Sequence, residues 1–382
     1  SSLPEPHTLN AILVMAQHFK SVTLLLNNLD FPVENYPHQP ILKEVGDPLP
    51  NLAAAQKGTI WKFARFFRYC FALRRELQTG KYKLVVFHDY LSLLAFWLVK
   101  KYSGYRGLTW FNSYDAIDPE HSNFSRFSLM NWVVKKHAAM FGELDFFSLP
   151  ADERKIYYPI NQVKRETFVI PNFPAVSFYQ PFYKVKNMDS QPVIKMIYQG
   201  ALGGGHGFEN IIPMLGRKVL GKGLQLILKG WIAEDYKQEL VKLSQRHGVA
   251  DCLIFEGFSV YRSVPQLAST CTIGLAIFTK QDVMNKTLGT ASNKIYEYAA
   301  LGLPVVLFDT PHFREHLGEK PWAYFTDLTE NNLLQTIEEV LDDYENASES
   351  AHRDFLEGFN FEKVFLPALR SIADVYETLK VS

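Results

Sequence analysis

Short apolar runs alternate with amphipathic stretches along almost the whole chain, and this alternation restricts it to α/β architectures built on parallel sheets. In the first half the pattern predicts a helix at 9–18, a strand at 22–26, a long helix at 59–78 and a buried strand at 84–87. A helix at 91–101, a strand at 108–111, a helix at 127–140 and short strands at 145–148 and 167–170 follow. The rhythm breaks over 171–192, where three prolines besides Pro171 and the polar run 186–191 read as a linker between domains. Strands at 193–199, 224–228, 252–256, 272–277 and 304–308 then resume, with helices between them, notably 234–247 and 293–301. The last segment, 359–379, is one amphipathic helix carrying Phe361, Val364, Phe365, Leu369, Ile372, Val375 and Leu379. It is too long for the second domain alone and is expected to cross back to the first. A doubly wound domain opens with a strand, whereas this chain starts in what reads as the turn before the first helix, so a first strand is expected upstream.

A length of 382 residues suits about two domains. With 47% hydrophobic and 21% charged residues the chain is neither disordered nor of low complexity. Forty basic residues cancel forty acidic ones, so no global field draws it to nucleic acid. Cys70, Cys252 and Cys271 are odd in number and far apart, which fits reduced thiols in a cytoplasmic protein. No run approaches the ~20 apolar residues that span a bilayer, and the N-terminus lacks the pattern of a signal peptide. The glycosylation triplets at Asn123, Asn285 and Asn346 are accordingly read as coincidences.

Two motifs offer chemistry. The loop from Gln199 through Gly200, Gly203, Gly204, Gly205, His206 and Gly207 follows a strand and precedes a helix, where backbone N–H groups can hold phosphate. It is either an anion site or a tight turn. It is no P-loop, because His206 and Gly207 stand where Lys and Ser/Thr are required, and no dinucleotide fingerprint, because Phe208 replaces the third glycine. In 289–306, a small-residue loop (Gly289, Thr290, Ala291) enters a helix that Ser292 or Asn293 can cap. Lys294 sits in the first turn, where the helix dipole disfavours a cation unless an anion is shared. Glu297, one turn on, suits a diol.

Two further motifs have blander readings beside the functional one. His312 to His316 has the His-x-x-Glu-His spacing of a zinc peptidase family, but no third ligand is evident and a polar helix start is the preferred reading. The helix 59–78 puts Phe63, Phe66, Phe67, Cys70, Leu73 and Leu77 on one face, with Arg65, Arg68 and Arg75 opposite. Trp61, Tyr69 and Phe71 also lie outside the stripe. This is a helix packed on a sheet with a solvated basic back, or one whose back rests on an anionic membrane surface, or both.

The segment 292–306, Ser-Asn-Lys-Ile-Tyr-Glu-Tyr-Ala-Ala-Leu-Gly-Leu-Pro-Val-Val, resembles the signature of retaining GT-B glycosyltransferases of family four and its relatives. Segments 197–200, 254–258, 168–172 and 359–379 are similar to other parts of that family, so the resemblance covers nearly the whole chain. It implies two Rossmann-like domains facing a cleft: an acceptor-binding domain at 1–182, a linker at 183–192, a donor-binding domain at 193–358 and a returning helix at 359–382. It further implies that Glu297 holds ribose hydroxyls, that Gly200, Thr290, Ser292, Asn293 and Lys294 address the pyrophosphate without a metal or other cofactor, and that Phe258 and Ser259 meet the base.

Three positions depart from the pattern. Gly289 stands where the family has the first glutamate of a Glu-x7-Glu pair. Ala201 and His206 stand where it has a cationic pair, with His206 a substitute once protonated and Lys229 and Arg262 as further sources of charge. Tyr114 and Asp115 stand where relatives carry a histidine before an acid. Asn112, Tyr114 and Asp115 are therefore expected to face the transferred sugar.

The implied activity is a retaining hexosyl transfer from a nucleotide diphosphate sugar, a UDP-sugar first, to a glycan or lipid-linked acceptor in surface polysaccharide or glycoconjugate synthesis. The protein would be cytoplasmic, with 59–78 a peripheral contact to the membrane. A non-catalytic partner subunit or binding protein of the same fold is the alternative, and a nucleotide-sugar epimerase a more distant one.

Overall fold

The computed structural model describes residues 6–26, 41–44, 58–114, 116–117, 124–259, 261–280, 285 and 287–381. It separates into two compact units, Ser1–Asn172 with Val364–Ser382, and Phe173–Lys363.

The first unit runs α1 (Pro6–His18), β1 (Thr23–Leu26), β2 (Ile41–Glu44), α2 (Thr59–Gln78), β3 (Leu84–Phe87), α3 (Tyr90–Ser103), β4 (Leu108–Asn112), α4 (Leu129–Phe141), β5 (Phe146–Leu149) and β6 (Glu166–Val169). Strands β3, β4, β5 and β6 form a parallel sheet in sequential order, while β1 and β2 pair parallel to each other in a separate sheet. All five residues of β4 are buried. Helix α3 is locally well specified: Asp89 caps it by accepting from Ser92 N–H at 2.9 Å, and Gly104 ends it with φ 68°.

Helix α2 has the bounds its pattern predicts and buries Phe66, Cys70, Leu73 and Leu77. Phe67 departs from the expected apolar stripe and is 41% exposed. It lies one residue, and so about 100° of helix turn, past Phe66. Its ring meets the edge of Phe66 at 5.7 Å instead of entering the core.

The second unit runs α5 (Val176–Tyr179), β7 (Val193–Gln199), α6 (Phe208–Met214), β8 (Lys218–Val219), β9 (Lys222–Lys229), α7 (Glu234–Arg246), β10 (Leu253–Gly257), α8 (Val264–Ala268), β11 (Ile273–Ala276), α9 (Asn293–Ala300), β12 (Val305–Phe308), α10 (Pro311–Leu317), β13 (Ala323–Thr326), α11 (Glu330–Asp342) and α12 (Tyr344–Glu357). Its main sheet has the order β10-β9-β7-β11-β12-β13, all parallel, with β8 added antiparallel on β9. Counted by position along the main sheet's own strands this is 3-2-1-4-5-6, the Rossmann arrangement. Its buried interior gathers Ile194, Met196, Leu226, Leu228, Ile273, Leu275 and Val306 from the strands with Phe208, Ile212 and Ile337 from the helices.

The final helix, α13 (Phe361–Val381), passes into the first unit at Val364. There Phe365 stacks on Trp110 with ring centres 5.3 Å apart, and Ser371 Oγ donates to Glu166 at 2.8 Å. Among the described residues no helix is long and apolar enough to cross a membrane.

Candidate functional site

In the second unit the chain moves outward one way from β7, through β9 and β10, and the other way from β11, through β12 and β13. The crevice outside the C-terminal ends of two such strands is where open α/β sheets bind ligands. The glycine loop leaves β7 here, and it is zipped to the segment after β11: Thr279 N–H donates to Gly205 O at 2.9 Å, and His206 Nδ1 donates to Ile277 O at 3.0 Å. Gly230, after β9, has φ 150°, and a Cβ there would sit 1.7 Å from the carbonyl oxygen of Gly200. Only glycine permits that approach.

Helix α9 points its N-terminus at this loop. Ser292 occupies the N-cap position with extended backbone, but its side chain makes no capping hydrogen bond, unlike the expected capping by Ser292 or Asn293. The N–H groups of a helix start not capped by its own N-cap side chain are the kind that an anion can take up. Lys294 reaches back from the same turn: Nζ donates to Tyr198 Oη at 2.6 Å and lies 3.8 Å from the centre of that ring and 4.7 Å from the Phe278 ring. It also comes within 3.3 Å of where a side chain on Gly200 would begin. Burial outweighs the nearby Glu297 carboxylate and lowers the Lys294 pKa to about 7. His206 shares the Tyr198 hydroxyl at 2.9 Å, and burial together with Lys294 pushes its pKa down to about 4, so the imidazole is neutral without a bound anion.

Glu297 is 4% exposed. Its Oε1 accepts from Tyr261 Oη at 2.7 Å and its Oε2 from Gln199 Nε2, while Tyr179 Oη donates to Tyr261 at 3.0 Å. Burial raises the pKa of this carboxyl, and the hydrogen bonds from Tyr261, Tyr179 and Gln199 oppose the rise. With three of its roughly four acceptor positions taken, the carboxylate keeps room for a further hydroxyl donor. Lys229 is 7% exposed and spends its ammonium on Glu256 O at 3.2 Å, while Ser259 Oγ meets Ser263 Oγ at 2.6 Å. Phe258 is 64% exposed just beyond β10, and Trp231 is 56% exposed just beyond the neighbouring β9. These two rings are available for stacking a planar base.

Gly200, His206, Lys294 and Glu297 thus gather at the C-terminal ends of β7 and β11, with Thr290, Ser292 and Asn293 on the approach to α9. Sequence reasoning missed Tyr198, Gln199, Tyr179, Tyr261, Trp231 and Lys280. Lys280 lays its chain over Gly205, where a Cβ would meet Lys280 Cγ at 2.7 Å. Tyr198 and Gln199 carried a signal, two polar side chains at the end of a buried strand. Tyr179 and Tyr261 carried none.

In the first unit Asn112 ends β4 and is fully buried. Its Oδ1 accepts from Ser148 Oγ at 2.7 Å and from His7 Nε2 at 3.0 Å, which fixes the proton on that nitrogen. Asn112 Nδ2 finds no partner among the described residues. Burial lowers the pKa of His7 to about 4 and, together with His7, that of His88 to about 3. Neither histidine was singled out from the sequence. Tyr114 is half-buried and its carbonyl accepts from buried Arg154 at 2.9 Å. Asp115 lies outside the described residues, and so does the side chain of Arg262.

No family model and no curated protein sequence matches the chain. Solved structures do, GT-B glycosyltransferases among them, and the chain carries that fold. HepE of Anabaena in complex with UDP aligns over 98% of both chains with a TM-score of 0.68 at 16% identity. Sucrose-phosphate synthase from Thermosynechococcus elongatus aligns over 97% of this chain and 92% of its own with a TM-score of 0.67 at 14% identity. WaaG, a glycosyltransferase involved in lipopolysaccharide biosynthesis, aligns over 93% of this chain and 92% of its own, with a TM-score of 0.59 at 13% identity. At such identities the likeness is one of fold.

Proposed function

We propose that the protein is a retaining glycosyltransferase that moves a sugar from a nucleotide diphosphate sugar, a UDP-sugar, to a glycan or lipid-linked acceptor without a metal. The observation that carries this reading is the pairing on α9 of a half-buried lysine at an uncapped helix start with a buried, hydrogen-bonded carboxylate one turn later. In the reaction the bond from the sugar's anomeric carbon to the β-phosphate oxygen breaks. A bond to an acceptor hydroxyl forms, and the proton of that hydroxyl passes to the departing diphosphate. Negative charge grows on the leaving oxygen, and the helix start with Lys294 is placed to stabilise it. Glu297 takes the ribose hydroxyls, and Phe258 and Ser259, joined by Trp231, take the base. HepE structures with UDP and with UDP-glucose support the choice of donor by analogy of fold.

In this reading residues 193–358 bind the donor, 183–192 link the domains, and 1–182 with 359–382 bind the acceptor through Asn112, Tyr114 and Asp115. Helix α2 adds a cytoplasmic membrane contact. Ile60 (88% exposed) and Phe71 (70%) accompany exposed Lys62, Arg68 and Arg75, a combination suited to an anionic surface.

A second reading, a non-catalytic binding module, is favoured by one observation: Ala201 offers no charge and His206 is neutral. Metal-free calorimetric titration with UDP, GDP and NAD, on wild type and Glu297→Ala, tests the donor site. Binding of UDP or GDP that the variant loses supports it, and no nucleotide binding at all overturns it. Turnover with donor and acceptor then separates enzyme from module, and epimer formed without acceptor would point instead to an epimerase, the chemistry named for one structural neighbour from Listeria monocytogenes.

A further inference from the structure

Position 289 is where the resemblance calls for a glutamate and this chain has glycine. Both peptide groups of Gly289 are held. Its N–H donates to His312 Nε2 at 2.8 Å, and its carbonyl accepts from buried Tyr296 Oη at 2.7 Å. The volume a side chain would need is filled: a Cβ on Gly289 would stand 2.5 Å from His316 Cδ2 and 3.0 Å from His312 Nε2. The two imidazoles meet edge to face, with ring centres 4.5 Å apart. Helix α10, which carries them, has a firm start. Thr310 caps it by accepting from Phe313 N–H at 3.2 Å, Phe313 and Leu317 are buried beneath it, and Arg314 pairs through two nitrogens with Asp309 at 2.9 Å.

We propose that His312 is a positioning residue for the loop that leads into α9, its Nε2 fixing the Gly289 peptide so that Thr290, Ser292 and the helix start stay set for the donor's diphosphate. The inference rests on the donor-site reading above for the last of these clauses and on geometry alone for the first. To accept the Gly289 N–H, Nε2 must be without a proton, so any proton of the neutral ring sits on Nδ1. A glutamine at 312 can offer its side-chain oxygen to the same amide; alanine offers nothing.

The test compares wild type, His312→Ala and His312→Gln by hydrogen exchange over 287–292 without nucleotide, and by donor KM and kcat. In His312→Ala we expect exchange of the loop to accelerate about tenfold and donor KM to rise about tenfold with a smaller change in kcat, as loss of one hydrogen bond implies. His312→Gln should return both towards wild type, which a merely space-filling role would not produce. Unchanged exchange in His312→Ala, or a His312→Gln variant that behaves like alanine while melting normally, would overturn the proposal. Should the wild-type protein bind no nucleotide, the donor-site reading falls, and the exchange comparison still decides whether His312 holds the loop.

Discussion

Lys294 and Tyr198 are joined twice: the ammonium donates to the phenol oxygen at 2.6 Å and lies 3.8 Å from the centre of the same ring. The ring face and the hydroxyl oxygen both present negative potential to the cation. They hold the lysine at the mouth of the glycine loop without neutralising it. The carboxylate of Glu297 is engaged with Tyr261 and Gln199, so the charge of Lys294 is available to an incoming anion.

A pH dependence follows, and its sign is fixed. Lys294 titrates near 7 in the free protein instead of 10.5, and a bound diphosphate raises its pKa again, so binding takes up a proton above pH 7. UDP affinity should fall by about tenfold per pH unit as the pH rises above 7, as uptake of one proton requires. Calorimetry in buffers of different ionisation enthalpy would count that proton directly. For stability the unfolded chain binds more protons between about 7 and 10.5, so this group makes the ligand-free fold more stable as pH rises through that window. Lys294→Met should therefore melt higher than wild type at pH 6 to 7 while losing UDP affinity.

Replacing Glu297 tests the same helix one turn further on. Glu297→Ala should weaken UDP binding by about one to two orders of magnitude, the range for hydrogen bonds to a charged group. It also strips Gln199 Nε2 and Tyr261 Oη of their acceptor, at a cost of about 1–3 kcal/mol in chemical denaturation. Glu297→Gln keeps the shape and should recover part of the stability but little of the affinity.

Gly230→Ala probes the floor of the site. Its Cβ would collide with the Gly200 carbonyl at 1.7 Å from a backbone angle that alanine avoids. The variant should lose at least about 2 kcal/mol of stability in urea, or fail to fold, because the obstruction is backbone and cannot turn aside.

For the first unit, flotation with vesicles is the direct assay. The chain should rise with anionic vesicles and remain below with neutral ones, and Ile60→Ser with Phe71→Ser should reduce flotation while leaving UDP binding unchanged. Equal behaviour on both vesicle types would remove the membrane contact from the proposal.

What was legible in the sequence was whatever is local. Helix α2 and strands β3 and β7 have the bounds their apolar periods predict, and Lys294 with Glu297 could be read because they lie three positions apart on one helix. Within 323–357 helix α11 carries an apolar period at Leu333, Ile337 and Val340 that went unread, and its neighbours are harder to see. Strand β13 has only four residues, and α12 buries Ala347, Ser348, Ser350 and Ala351. Small side chains pack closely without leaving a hydrophobic period. The partners of Glu297 were invisible for another reason: Tyr261 and Gln199 are 36 and 98 residues away and meet it only because the strand order brings their segments together. The loss of a side chain at 289 was plain in the sequence. That two imidazoles fill its place was not, since nothing in the spacing of 312 and 316 points back to that loop.

Trp110, fully buried on β4, is covered by Phe365 of the last helix. During synthesis the ribosome delivers β4 some two hundred and fifty residues before the side chain that covers it. Until then the nascent first unit presents an open tryptophan face, the kind of transiently exposed apolar surface through which partly folded chains associate. A stop codon anywhere before Phe365 would be felt first not at the end of the protein but in the sheet at its beginning.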